Sequence, residues 1–124
     1  MKNFLSTPPP PEGFEAPLIH VFCDFYKKIY FISQKIPKRD RFGIFAKIEN
    51  ICLEIINLII AASLEIKINK FPILTSARIK IETLKRLIRI TYELNVIERK
   101  KYLNLESDLQ EISKMTNGWI KYLK

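Results

Sequence analysis

Apolar residues recur at three- and four-residue intervals along most of this chain, and they are densest between residues 41 and 67. One line in this segment consists of Phe45, Ile48, Cys52, Ile55, Ile59, Ala62 and Ile66. That spacing places side chains on one face of an α-helix. Ile44, Ile51 and Leu58 add a second line, and Leu53, Ile56, Ile60 and Leu64 add a third. Since one packing partner cannot cover a helix that is apolar over most of its circumference, we expect the chain to form an oligomer.

Three further segments show the same periodicity. We predict helices over residues 16–35, 74–95 and 97–122, in addition to the one over 41–67. Their core stripes are Leu18, Phe22, Phe25, Ile29 and Ile32; Leu74, Ala77, Ile81, Leu84, Ile88 and Thr91; and Tyr102, Leu105, Leu109, Ile112, Thr116 and Trp119. Four helices of similar length joined by short loops predict an all-α, up-down-up-down antiparallel four-helix bundle. The 3 glycines among 124 residues agree, because strand-rich folds need many glycine turns.

The prolines and polar residues suggest where the domain and its first helices begin and end. Residues 1–15, with the run Pro8–Pro11, are predicted to be a flexible leader before a bundle over 16–124. The first helix should end before Pro37, because proline disfavours helix in the residue that precedes it. Asp40 is the expected N-cap of the second helix.

The third helix is bounded by a second set of signals. Pro72 marks a turn over residues 69–75, and either Thr75 or Ser76 is a suitable N-cap for the helix that follows. Asn95 is suited to close that helix in the left-handed conformation.

The residues that usually carry catalysis or bind metals are sparse. His20 is the single histidine, and no nearby ligand set accompanies it. Glu106 and Glu111 lack the three- or four-residue spacing of carboxylates that bridge metals. No glycine-rich phosphate loop or nucleophile elbow is present. We therefore expect no catalytic residues, no metal and no cofactor. Cys23 and Cys52 fit apolar helical patterns and are expected to be reduced, as in a cytoplasmic protein.

The balance of charge points to an anionic partner. Lys and Arg number 21 against 13 Asp and Glu, a net charge of +8. Nucleic acid, an acidic protein surface and a membrane surface all fit this excess, as does a merely solubilising surface. The longest apolar stretch, over residues 51–62, is interrupted by Glu54 and Asn57 and is too short to cross a bilayer.

The cations fall into three clusters that we take as candidate binding residues. They are Lys38, Arg39 and Arg41 in the first loop; Arg78, Lys85, Arg86 and Arg89 on the third helix; and Arg99, Lys100 and Lys101 at the start of the fourth. The third-helix cluster is interspersed with Glu82 and Glu93, so a solvated face with weak ion pairs is an equal alternative there. In an antiparallel bundle the first and last clusters lie at the same end, where they would bind phosphates without reading sequence.

Aromatic residues crowd the first helix, at Phe22, Phe25, Tyr26, Tyr30 and Phe31. Most follow the core periodicity. Packing is therefore favoured over base stacking, which requires exposed rings beside cations.

Several motifs resemble the four-helix-bundle family of accessory proteins of diversity-generating retroelements, the Avd family, over roughly residues 18–122. The same family contains proteins encoded in intervening sequences of ribosomal RNA genes. The matching residues are Ile36-Pro37-Lys38, Arg41-Phe42, Ala61-Ala62, Ala77-Arg78, Leu84, Leu87-Ile88-Arg89, Tyr102 and the closing stretch from Glu111 to Lys121 around Trp119. Ser113 and Asn117 stand where family members usually have glycine.

The resemblance implies a cyclic homopentamer that is not itself an enzyme. It also implies a basic protein that binds RNA, and possibly DNA, together with the retroelement's reverse transcriptase. Arg78 and Arg89 match basic positions of the family. Two alternatives remain at this stage: an intervening-sequence protein without a polymerase partner, and a purely structural oligomeric adaptor. No membrane association is expected.

Overall fold

The computed structural model describes the backbone of residues 10–124 and the side chains of residues 16–124. Its elements are α1 (Pro10–Ser33), α2 (Lys38–Arg41), α3 (Ile44–Leu64), α4 (Lys67–Glu93) and α5 (Arg99–Leu123). Helix α2 is a single turn, and residues 10–124 contain no strand. The four long helices confirm the all-α prediction.

The four long helices pack in a closed cycle. Helix α3 packs on α4, α4 on α5, and α1 on both α3 and α5. The connections are short, so neighbours run antiparallel. The loops 34–43 and 94–98 lie together with the first turn of α5 at what we call the basic end. The α3–α4 turn and the C-terminus of α5 lie at the other end, the hairpin end.

The predicted core stripes are confirmed with two differences. Every residue of the stripes on α4 and α5 is buried, as are those on α1 except Ile32, which is half-buried against the core. On α3 the stripe is buried from Phe45 to Ala62. Ile66 was wrongly assigned to it. It lies beyond the end of α3, as the N-cap residue of α4, and is 67% exposed.

Helix α1 begins at Pro10, six residues before its predicted start. Proline has no backbone N–H, and the first turn of a helix needs none, so Pro10 and Pro11 suit these positions. The part of the predicted flexible leader over residues 1–9 lies outside the described residues.

The second helix is shorter than its predicted range of 41–67, because α3 runs from Ile44 to Leu64 and Phe42 and Gly43 separate it from the single turn α2. Asp40 is not an N-cap, since it lies inside α2, and Gly43 occupies the N-cap position of α3. The chain passes itself closely at this break. A Cβ added to Gly43 would lie 2.7 Å from the carbonyl oxygen of Arg39. The apolar lines of this helix begin at Ile44 and Phe45, just after the break, so the prediction placed the start of the helix three residues too early.

The predicted turn at Pro72 is wrong. Helix α4 begins at Lys67, so Pro72 is its sixth residue, and neither Thr75 nor Ser76 is a cap. Because Pro72 has no backbone N–H, α4 lacks one of its helical hydrogen bonds at this position. The first turn is anchored instead by Lys70, whose ammonium donates to the carbonyl oxygen of Ala62 at 2.6 Å and to that of Ser63 at 3.5 Å.

The predicted end of the third helix is confirmed at Asn95. Its φ of 61° is left-handed. The amide of Val96 donates to the carbonyl of Thr91 at 2.8 Å, and the amide of Asn95 donates to that of Tyr92 at 3.0 Å. These two bonds form a Schellman motif, which satisfies carbonyls that the helix itself leaves free.

None of the helices within residues 10–124 is both long enough and apolar enough to span a bilayer.

Candidate nucleic-acid interface

The first and last cation clusters lie at the same end of the bundle. Lys38 and Arg39 are exposed on α2, and Arg99, Lys100 and Lys101 are exposed in the first turn of α5. The segments that carry them lie close together, since Lys35 of the first loop and Lys101 of α5 line one cavity of about 280 Å³. The basic end thus gathers cations from segments that are far apart in sequence.

The cations on α5 are placed against the helix dipole. The first turn of α5 contains no acidic residue, and its N-cap Glu98 makes no side-chain capping bond. Positive charge at a helix N-terminus is unfavourable by a few tenths of a kcal/mol, roughly, at exposed positions. Within residues 16–124, none of Arg99, Lys100 and Lys101 forms an ion pair. No carboxylate of the described residues therefore neutralises their charge.

Arg41 differs from its neighbours in the first cluster. Its Nε donates to the carbonyl of Ser33 at 3.0 Å, and its Nη2 donates to that of Gln34 at 3.0 Å. The guanidinium therefore satisfies carbonyls at the C-terminal end of α1, where a cation also complements the helix dipole. Arg39, by contrast, is 91% exposed and only 3.7 Å from its neighbour Asp40.

The cations on α4 also divide into those that point outward without an acidic partner and those that are paired. Arg78 and Arg86 are exposed and flank a shallow surface groove of about 430 Å³ that also contains Thr83. Neither arginine forms an ion pair with another residue of the described chain. Lys85 is engaged, with Nζ 2.9 Å from Glu82. Only Arg78 and Arg86 therefore present unneutralised charge on this face.

Arg89 ties α4 to α5. Its Nε lies 3.1 Å from Glu93, and its Nη1 donates to the Tyr102 hydroxyl at 3.2 Å. That hydroxyl donates in turn to Glu106 at 3.1 Å. The rings of Tyr92 and Tyr102 stack with centroids 4.5 Å apart, and the guanidinium lies over both. The hydrogen bond to Tyr102, and then the one to Glu93, raise the pKa of Arg89.

The aromatic residues of α1 are mostly packed, as predicted, but not all. Phe22 and Phe25 are buried and Tyr26 is half-buried. Tyr30 and Phe31 are exposed, with their rings edge to face at 5.6 Å.

Two lysines, Lys28 on α1 and Lys35 in the loop that follows it, were not among the predicted candidates. Lys28 and Lys35 line the cavities beside α5, with Phe31 on the same face of the helix. The spacing of three and four residues from Lys28 to Phe31 to Lys35 is the signal that would have found them.

The two cysteines and the histidine belong to no group of three candidate metal ligands within the described residues. Cys23 and Cys52 are free thiols, and burial, followed by the nearby Glu49, raises the pKa of Cys52 to about 12. His20 is exposed, 3.6 Å from Asp24. Over residues 16–124, no three His, Cys, Asp or Glu side chains are grouped as metal ligands.

Comparison with known families identifies the family of the chain. A family model described as bAvd-like covers residues 19–123. The match spans all of the bundle except the first turns of α1, and it confirms the resemblance inferred from the motifs. No curated protein matches the chain.

Proposed function

Because the chain belongs to the bAvd-like family, we propose that it is a non-enzymatic accessory subunit of a diversity-generating retroelement. In this role it binds the reverse transcriptase and its template RNA through a basic surface and supports mutagenic reverse transcription. The polymerase supplies the chemistry. This chain supplies binding.

The observation that supports this proposal is the set of outward cations without internal acidic partners. They are Arg78, Arg86, Lys38, Arg99, Lys100 and Lys101, with the barely paired Arg39 beside them. Arg41, Lys85 and Arg89 serve contacts within the bundle and are assigned no RNA contact. Phosphates bind such a surface by releasing counterions, so affinity falls steeply with salt.

Assembly into a homopentamer is the second part of the proposal. Leu53, Ile60 and Leu64 leave an exposed apolar line on the outer face of α3. Isolated chains rarely keep such a line in water. A closed ring would cover it and would repeat the basic end around one rim, which raises the field that an RNA meets.

The first experiment measures mass by light scattering during size exclusion, with and without a structured RNA, at two salt concentrations. A ring-sized species that binds RNA at low salt and releases it at high salt supports the proposal. A monomer, or a ring that ignores RNA at both salts, contradicts it and favours a protein-only structural adaptor.

The second experiment locates the interface. We expect Arg78→Gln with Arg86→Gln, and separately Lys38→Gln with Arg39→Gln, each to reduce the salt slope of RNA binding by about two. The matched control is Lys114→Gln with Lys121→Gln, which removes two exposed cations from the half of α5 that is distant from the basic end. If the control lowers the slope equally, binding is diffuse and the assigned surface is wrong.

Co-purification separates the family alternatives. A reverse transcriptase that co-elutes with the chain, from a locus that also holds a repeated variable region, supports the accessory role. RNA binding without a polymerase partner, from a ribosomal RNA locus, favours the intervening-sequence protein instead.

A further inference from the structure

We propose that a trough between α1 and α5 at the basic end docks a short acidic segment of a partner protein, held by large apolar side chains of that segment. RNA is not its occupant. This docking is separate from RNA binding, and it rests on the proposed function only if the docked partner is the polymerase.

The trough consists of two adjoining cavities. The larger, of about 750 Å³, lies between Phe31 on α1 and Leu103 on α5. The smaller, of about 280 Å³, continues it to the loop at Val96. Ile32, Glu98 and Lys101 line both cavities, so the two are continuous.

The floor of the trough is apolar and lacks a covering partner within the described chain. Phe31 is 66% exposed and Leu103 is 46% exposed, although other residues of the helices that carry them are buried. Ile32 lies between them, half-buried against the core. Removing such side chains from water is favourable in proportion to their apolar area, so this strip favours an occupant with apolar side chains of its own.

The rim of the trough is cationic. Lys28, Lys35, Lys100 and Lys101 line it, against the single acid Glu98. Lys28 is held in place by Asp108 at 2.7 Å and by Asn104 at 3.0 Å. The other three lysines form no ion pair with any residue of the part that the structure describes. An occupant with carboxylates would complement this rim.

The apolar floor of the trough favours a protein segment over a nucleic acid. Bases bind by stacking on aromatic faces, and Phe31 is the one aromatic residue lining either cavity. The remaining apolar lining is aliphatic, from Ile32, Ile36, Val96, Ile97 and Leu103. Aliphatic pockets fit the leucine or phenylalanine anchors of an amphipathic helix.

The N-terminal residues of this chain do not fit the trough. Residues 1–9 contain Lys2 and no acidic residue, so they do not complement a cationic rim. The first two turns of α5 bound the trough over roughly 10 Å, at 1.5 Å per residue. The occupant is therefore a short segment of two or three helical turns.

The test uses a fluorescein-labelled helical peptide with leucines spaced at three and four residues between glutamates. Its binding to the full chain is followed by fluorescence anisotropy. A second peptide has serine in place of each leucine, and a labelled oligouridine probes nucleic acid. Phe31→Ser with Leu103→Ser should weaken the leucine peptide at least about tenfold, as expected for apolar anchors. The matched control, Ile79→Ser with Ile90→Ser, removes two exposed apolar residues from α4. It should leave the affinity for the leucine peptide unchanged.

The proposal is supported if the trough variant loses the leucine peptide and keeps oligouridine, while the serine peptide binds weakly to every form. It is overturned if the leucine peptide fails to bind, if the serine peptide binds as well, or if the control loses binding equally. Loss of oligouridine binding in the trough variant would identify a stacking platform for bases and would also overturn the proposal.

Circular dichroism checks that the variants fold. Should the double variant unfold, Lys100→Glu with Lys101→Glu must abolish peptide binding instead. Phe31→Ser with Leu103→Ser alters none of the cations assigned to RNA, so the RNA experiment can fail while this one succeeds, and the reverse. Lys100→Glu with Lys101→Glu alters cations assigned to both surfaces, so it is measured with the peptide only.

Discussion

The two ends of the bundle use a cation for the same purpose but surround it differently. At the basic end, Arg41 donates to the last carbonyls around the C-terminus of α1. At the hairpin end, Lys70 does the same for α3, and it is only 8% exposed. In each case one positive side chain satisfies acceptors that a helix leaves unpaired.

The exposed residues close in sequence to these two capping cations differ. Near Arg41 they include the cation Arg39, whereas near Lys70 they include the aliphatic residues Ile66, Ile68 and Leu64, the last of them 81% exposed. The net charge of +8 therefore includes cations, such as Arg41 and Lys70, whose donors are engaged within the bundle.

The largest effect is expected at the hairpin end. Lys70→Met removes the donor to Ala62 and leaves a buried carbonyl without it, so the free energy of unfolding should fall by about 2–3 kcal/mol. Urea denaturation measures this. Lys121→Met, at an exposed position near the same end, is the control and should change stability by less than about 0.5 kcal/mol. Equal effects would mean that Lys70 is not a cap.

A loss of stability is also expected at the basic end, from Gly43→Ala. The added methyl group would meet the carbonyl oxygen of Arg39 at 2.7 Å, so α2 must shift, with a loss of about 2 kcal/mol. Thermal unfolding gives the value, with Lys38→Ala in the same short helix as the reference. An unchanged melting temperature would show that α2 moves freely, and the basic end would then be the looser of the two.

The third prediction contrasts two arginines of one cluster. Arg41→Met should lower the free energy of unfolding by about 1–2 kcal/mol, because two carbonyls lose a charged donor. Arg39→Met should leave stability unchanged and lower the salt slope of RNA binding by about one. Stability and binding are measured on both variants. If Arg41→Met lowers the slope as much as Arg39→Met does, the division into capping and outward cations fails.

The smallest effect concerns the region between the ends, at Cys52. Burial raises the pKa of this thiol from 9.0 to about 12, so the unfolded chain loses its proton at lower pH than the folded one. The folded state is therefore favoured fully below pH 9, and that contribution is lost as the pH rises from 9 towards 12. Stability should fall less steeply over pH 9–10.5 in Cys52→Ala than in the parent chain. Parallel slopes would mean that the thiol is hydrated in the fold.

Residue spacing predicted the architecture well because burial repeats with the helical period. The stripes from Leu74 to Thr91 and from Tyr102 to Trp119 are buried as expected. Asn95 closes its helix as expected, since a left-handed residue is a local preference. These features depend on short-range patterns.

The features that sequence missed depend on contacts between distant residues. Pro72 is tolerated inside α4 because Lys70 anchors that first turn to the end of α3, which no local pattern reveals. Arg41 and Arg89 matched their clusters by charge, yet tertiary contacts with Ser33 and Tyr102 engage them within the bundle.

The burial of Trp119 has an optical consequence. It is the chain's single tryptophan, fully buried at the hairpin end, with the Lys70 ammonium 5.9 Å from its ring centre. Emission excited beyond the tyrosine band therefore reports on the hairpin end alone. An RNA or peptide bound at the basic end should leave that emission unchanged unless it repacks the whole bundle. Intrinsic fluorescence thus separates local docking from a rearrangement that travels along the helices.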